Sequence, residues 1–433
     1  MRLTMVNLIK CGFFPEGIPQ HCFDTKDVVE LIGDKDFELD SLERNHKDKS
    51  IVSTPCHFIS SYKNDLERRI IGLPHIETYM LLCSEIEKNV GLISAKFDFN
   101  IHSYSNEIYP YEIEDYVVKS TFYNNYLDRT KYSLGYKYLL KVDLSKCYEN
   151  IYTHSLTWSL LGKISAKQEV KKKPKDRSEE YIKYDNLDTK LRAINNNETK
   201  GIPTGPLTSR VVSEIVLTEV DKEISKIHNK FKRYVDDYNF FFRTRTEAEE
   251  FIPKLQNILY DYKLHINSGK TEILKYPYSI NHNLSIKLGK YDFEKNTVLD
   301  YIERFNELYA LGNKGALKFG LKVLKSKQIS KDEDQIVFSH LINLMITYPN
   351  LAEYIFTIFD NNEFTFTDET AHLLNDILLS CVKNVHQVEA VWLLTVMLYF
   401  DIDIYENIIL LILEKVEVFS TILVLDGPVK FSV

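Results

Sequence analysis

Three aspartates carry the first chemical signal in this chain. Asp143 stands near the end of the extended apolar run YKYLLKVDL, and the pair Asp236-Asp237 begins 93 residues later, between the β-rich runs FKRYV and NFFFRT. Carboxylate oxygens are the ligands that hard divalent cations prefer. Two such ions roughly 4 Å apart, held by acids converging from separate strands, can neutralise a polyphosphate and lower the pKa of an attacking hydroxyl. The chemistry open to these acids is metal-assisted phosphoryl transfer. Taken one at a time they read more blandly, the pair as a solvated hairpin tip and Asp143 as the cap of a following helix.

Such convergence requires a strand ending at Asp143 and a hairpin turning at Asp236-Asp237. Between them lies Gly201-Ile202-Pro203-Thr204-Gly205-Pro206, then Ser209 and a run in which Val212, Ile215, Val216, Val220 and Ile224 share one helical face. Glycines beside a helix start let backbone approach a nucleotide or strand closely, although an ordinary Pro/Gly helix entry has the same composition. Thr246 with Glu249 reads as a capping box opening the next helix. The polar segment from about 163 to 200 reads as a loop with helical pieces, inserted between two functional elements. Residues 1–135 read as helices broken by turns. Beyond about 297 the apolar periodicity is almost wholly helical, with links short enough for antiparallel stacking of helix pairs.

Bulk composition narrows the partners. A chain of 433 residues, 44% hydrophobic and 27% charged, has room for two or three cored domains. Its net charge of −8 gives no global attraction to phosphate, so any nucleic-acid groove is a local feature. The run Lys171, Lys172, Lys173, Lys175 and Arg177, preceded by Lys163 and Lys167, is open to two readings: a solvated loop, the default for charge runs, or such a contact. The six cysteines show no metal-ligand spacing and read as reduced, mostly buried thiols. No apolar stretch has the length of a membrane helix and no signal peptide opens the chain. These features imply a cytoplasmic protein without membrane contact.

Taken together, the motifs resemble those of reverse transcriptases. Val142-Asp143-Leu144-Ser145-Lys146-Cys147-Tyr148 is similar to the first acidic block, GIPTG with Ser209 to the second, and Tyr234-Val235-Asp236-Asp237 to the Y-x-D-D box, in the same order. Leu264-His265-Ile266-Asn267 with Lys270-Thr271 resembles the next block and Leu288-Gly289 the primer grip. Lys63 and Arg69, before Ile71-Gly72-Leu73-Pro74, resemble the fingers motif of intron-type and bacterial members. The opening Gly12-Phe13-Phe14-Pro15-Glu16-Gly17-Ile18-Pro19 and the block Ile151 to Leu156 resemble the defence or abortive-infection type.

The resemblance implies an α+β right-hand polymerase with fingers in 1–135, a palm in 136–296, and an all-α, helical-repeat-like C-terminal domain in 297–433. It implies a DNA polymerase, in antiphage defence, with two Mg²⁺ (Mn²⁺ as an alternative) on Asp143, Asp236 and Asp237. Lys270 would protonate leaving pyrophosphate. Lys63, Arg69, Thr204 and Gly205 would bind the nucleotide, and the Tyr148 ring would exclude a ribose 2′-OH. The implied partners are dNTPs and an RNA or DNA template or primer, with self-association left open. Some defence-type members work without a template and prime from a tyrosine; an RNA-templated retron or intron-derived enzyme is the alternative, and a non-catalytic palm scaffold the remote one. Thr204 departs from the Gln that mobile-intron and retroviral enzymes usually carry, which puts template dependence in question.

Overall fold

The computed structural model describes residues 3–33, 39–42, 52–64, 66–105, 128, 130–278, 284, 288–415, 417–426 and 431–432. The chain divides into two compact units. One comprises Met1–Pro15, Thr25–His57 and Gly72–Ile280, the other Glu16–Asp24, Phe58–Ile71 and Asn281–Val433.

The first unit is built on an antiparallel sheet of β3 (Tyr138–Asp143), β4 (Phe231–Tyr234), β5 (Asp237–Phe242) and β6 (Glu272–Lys275), in the order β4-β5-β3-β6; β1 and β2 form a separate hairpin at His57–Asn64 and Glu67–Leu73. Side chains alternate across a strand, so each strand offers two faces. Leu140 and Val142 of β3, with Tyr238, Phe240 and Phe242 of β5, enter the main core, where Val212, Ile215, Val216, Val220 and Ile224 of the helix Leu207–Ser225 meet them. Leu139 and Phe241 lie on the opposite face with Tyr278. One face of the sheet is thus covered by helices. Asp143 and Asp237 belong to the other.

Three expectations about local structure change. The capping box is formed by Thr244 and Glu247, opening the helix Arg245–Asp261, so Thr246 lies inside that helix. Thr244 and Thr246 are each followed three residues on by a glutamate of this helix, so spacing alone does not separate them. The helical pieces of the segment 163–200 are longer than a loop reading allows: they are the helices Lys163–Lys171 and Glu179–Ala193, the second burying Leu187 and Leu191 in the main core. Its low apolar content misleads because part of its buried face is polar, with Asp188 accepting from His154 at 2.6 Å and Arg192 at 3.3 Å. The hairpin β1-β2 also stands where the sequence reads only as broken helices. The basic run is exposed from Lys171 to Lys175.

The second unit stacks the helices Val298–Ala310, Ala316–Leu324, Asp334–Thr347, Ala352–Asp360, Asp368–Lys383 and Gln387–Tyr399, with Glu406–Lys415 and Val418–Asp426 beyond. Two excursions of the N-terminal half belong to it. Trp392 donates its indole N–H to the Gly17 carbonyl at 2.7 Å, and Arg68 makes a bidentate pair with buried Glu389, both bonds 2.8 Å. All six cysteines are free thiols, four of them buried. Among the described residues no helix is long and apolar enough to cross a membrane.

Candidate active site

Register brings the first two acids together. In the β3-β5 pairing Asp143 stands directly opposite Asp237, and in the β4-β5 pairing Tyr234 stands opposite Asp237, leaving Val235-Asp236 as a two-residue turn. The Leu144 N–H donates to the Asp236 carbonyl at 3.2 Å, tying the turn to the end of β3.

The segment after the helix Arg245–Asp261 completes the site. Ser145 N–H donates to the His265 carbonyl at 2.8 Å, and Asn267 N–H to the Asp143 carbonyl at 2.7 Å. The Asn267 side-chain amide then donates to Asp143 Oδ1 at 2.9 Å and the Lys270 ammonium to Asp143 Oδ2 at 3.0 Å. Lys270 is held protonated, first by that bond and then by the surrounding aspartate charges. Asp237 keeps an exposed edge, yet protein packed around its carboxyl, and then the like charges of Asp236 and Asp143, push it up to about 6. Negative charge has been concentrated here beyond what the fold itself neutralises.

Three hard carboxylates are the donor type that a divalent ion of the magnesium kind takes. As the side chains stand, no three His, Cys, Asp or Glu among the described residues converge closely enough to enclose an ion. The Lys270 ammonium provides part of the charge balance at Asp143.

The turn is held by side chains that the motif does not name. Val235 has φ 53°, the positive value that the first central residue of a primed hairpin turn needs and that glycine usually supplies. A β-branched residue held there costs roughly 1–2 kcal/mol. Both its backbone groups are clamped, the N–H donating to Ser105 Oγ at 2.7 Å and the carbonyl accepting from Arg233 at 2.8 Å. Strand alternation turns Phe231 and Arg233 inward, and Arg233 is fully buried. There it donates twice to Glu214 at 2.9 Å and to both oxygens of Asp221 at 2.7 to 3.1 Å, while Tyr238 and Asn100 also donate to Asp221. Burial alone would disfavour the cation, but Asp221 and Glu214 keep it charged. Glu214 and Asp221 lie seven apart on the buried helix, two turns of one face. An arginine at an inward strand position and two acids on a buried helical face were the signals available in the sequence.

The Gly-Pro segment is fixed along the residues after β3. Thr153 N–H donates to the Thr199 carbonyl at 3.0 Å, Gly201 N–H to Ile151 at 2.9 Å, and Ile202 N–H to Tyr148 at 2.9 Å. Gly201 has φ 84°, and a Cβ there would sit 3.0 Å from the Glu149 carbonyl oxygen. Gly201→Ala is therefore expected to cost about 1–3 kcal/mol, read as a lowered denaturant midpoint. Tyr148 lies half-buried in the short helix Cys147–Asn150. The Thr204 carbonyl accepts from Gly72 N–H at 2.7 Å, and Gly205 follows with φ 128°. The hydroxyl of Ser209 is buried without a hydrogen-bond partner among the described residues.

Residues 100–298 match the family model for reverse transcriptase (RNA-dependent DNA polymerase). The chain carries a reverse-transcriptase domain. By class it is a nucleic-acid polymerase domain, and every member of the acid constellation falls inside the matched span. Among solved structures, apo telomerase from Candida tropicalis is 14% identical, covering 88% of this chain and 70% of that one, with a TM-score of 0.38. Its form truncated of the C-terminal domain gives 15% identity, 53% and 52% coverage and a TM-score of 0.34; this chain thus spans about half the length of that relative. Telomerase from Candida albicans with a fragment of telomeric RNA gives 13%, 88%, 64% and 0.33. Likenesses of that size carry no argument. Comparison with curated proteins finds no match.

Lys63 and Arg69 belong to the other unit. Lys63 pairs with Glu67, and Arg69 is exposed on β2 without a partner among the described residues, whereas its neighbour Arg68 is consumed by Glu389. Leu288 is buried and starts a turn with Gly289.

Proposed function

We propose that the chain adds deoxynucleotides to a growing strand by phosphoryl transfer. The observation that supports this most is the register pair Asp143-Asp237 on the face of the sheet opposite the core helices, with Asp236 at the adjoining turn and Lys270 bonded to Asp143. Asp143, Asp236 and Asp237 would hold divalent cations, Mg²⁺ or Mn²⁺, which when bound supply charge neutralisation of the triphosphate and a lower pKa for the attacking hydroxyl. A bond forms from the strand's 3′-oxygen to the α-phosphorus as the bond to pyrophosphate breaks and the hydroxyl proton passes to solvent water. Lys270 gives a proton to the departing pyrophosphate, for which its ammonium is kept charged. Thr204, Gly205 and Tyr148 border the nucleotide, and for Lys63 and Arg69 the proposed role stays the one the resemblance implies, triphosphate binding.

The Tyr148 ring under the sugar makes the product DNA by excluding the 2′-OH. Tyr148→Ala is expected to raise ribonucleotide use about tenfold or more relative to deoxynucleotide use, on the scale of one lost packing discrimination. Unchanged sugar selectivity in competition assays would remove the gate.

The finer reading is a cytoplasmic, defence-type enzyme directed against phage, able to extend without a template and from a protein primer. It rests on the resemblance of Gly12 to Pro19 and on Thr204 in place of Gln. Purified protein incubated with each labelled dNTP, with and without template, then run on a denaturing gel, tests both levels. No incorporation under any condition would sink the polymerase reading. Strict dependence on an added RNA, with no label on the polypeptide, would leave the polymerase and remove the protein-primed, template-free part.

A further inference from the structure

From Leu308 to Lys331 the chain carries six lysines, at 314, 318, 322, 325, 327 and 331, and no carboxylate, within a protein of net charge −8. The helix Ala316–Leu324 lies in this stretch. It spends its apolar face on packing, burying Ala316, Leu317, Gly320, Leu321 and Leu324. Lys318 and Lys322 of the helix, and Lys325 just beyond it, are one turn apart on the remaining face. All three reach the same point: their ammonium groups lie 5.4, 5.4 and 5.9 Å from the centroid of the Tyr354 ring, on the helix Ala352–Asp360. Lys327 lies 4.7 Å from the Phe293 ring, and Lys331 is paired with Glu363.

An isolated lysine on an aromatic face is ordinary surface chemistry. Three on one ring are not, because like charges gathered within a few ångströms repel one another and the ring quadrupole answers only part of their charge. Among the described residues no carboxylate pairs with Lys318 or Lys322. The arrangement leaves the positive charge of Lys318 and Lys322 concentrated at one aromatic ring. Along the helix axis the backbone positions of Lys318 and Lys325 are about 10.5 Å apart, while their ammonium groups converge on the one ring.

We propose that this face of the C-terminal unit binds the phosphate backbone of single-stranded nucleic acid. The ring of Tyr354 gathers the ammonium groups and the lysines supply the phosphate contacts. That the ligand is a nucleic-acid strand rests on the polymerase reading above; that the site takes phosphate does not.

The test uses the full chain and a fluorescent oligothymidylate followed by anisotropy, without divalent ions or dNTPs, across a salt series. Lys318→Gln with Lys322→Gln is expected to lower the slope of log K against log salt by about 1.4, two contacts at roughly 0.7 each for a single strand. Affinity at low salt falls roughly tenfold. Arginine at both positions retains slope and affinity, and Tyr354→Leu loses affinity where Tyr354→Phe does not, since only the former removes the ring. Lys171→Gln with Lys173→Gln makes the same charge change on the exposed run and serves as the comparison. Equal losses from the two pairs, or no change from the first, would overturn the site. Displacement of the oligonucleotide by inorganic tripolyphosphate at equal phosphate concentration would overturn the strand as its ligand. Incorporation of dNTPs, lost or kept in Asp236→Ala, is read separately and decides the polymerase proposal alone.

Discussion

Asp236→Ala is expected to leave a folded protein whose incorporation of deoxynucleotides falls by roughly 10³-fold or more, the scale on which a single preorganised catalytic group acts. The assay is primer or self-extension with labelled dNTPs and Mg²⁺. Activity within tenfold of the parent would remove Asp236 from the site. The neighbouring acid adds a second, opposite effect on stability. Asp237 has a folded pKa of about 6 against an ordinary 3.8, so its ionised form is disfavoured in the fold. A raised carboxyl pKa contributes stability that is present below the unfolded value and is lost as pH rises through the folded one. Asp237→Asn should therefore abolish incorporation while making the protein harder to unfold near pH 7, with the gain shrinking toward pH 4. A variant less stable than the parent at pH 7 would show that crowding does not govern this carboxyl. Loss of activity with gain of stability is the signature of acids placed for a cation rather than for packing.

Arg233→Met is expected to cost about 3–5 kcal/mol, because it strands Glu214 and Asp221 as buried charges without their cation. Chemical denaturation reads this as a large drop in midpoint at unchanged slope. Adding Glu214→Gln to Arg233→Met should recover part of the loss, since one of the two stranded charges is removed; no recovery would mean that the guanidinium acts by shape alone. The same change frees the Val235 carbonyl and with it the positive-φ turn that places Asp236. Incorporation should fall by more than the unfolded fraction accounts for.

Much of the candidate site is legible in the chain. The order Asp143, GIPTG, Asp236-Asp237, Lys270 is a linear pattern, and the strand, the hairpin and the helix Leu207–Ser225 each follow from local periodicity. Less legible was the segment 163–200, because a polar helix that buries Asp188 and Tyr184 looks like a loop when only apolar residues are counted. The capping box slipped by two residues because Thr244 and Thr246 offer the same chemistry. The hairpin β1-β2 and the loop at Gly17 belong with the C-terminal helices through Arg68-Glu389 and Trp392-Gly17, pairs more than 300 residues apart in sequence, for which no periodicity exists.

Which residues could do chemistry is already legible along the chain, since residue type, spacing and a two- or 3.6-residue period are local properties. Tertiary structure alone decided that Asp143 faces Asp237 rather than a neighbour, because strand register is a pairing between distant segments and a slip of one residue would send every side chain to the other face. It also decided that Arg233 holds the turn and that three lysines meet at one tyrosine. Both depend on which elements pack together, and packing is settled by the shape and charge of whole faces.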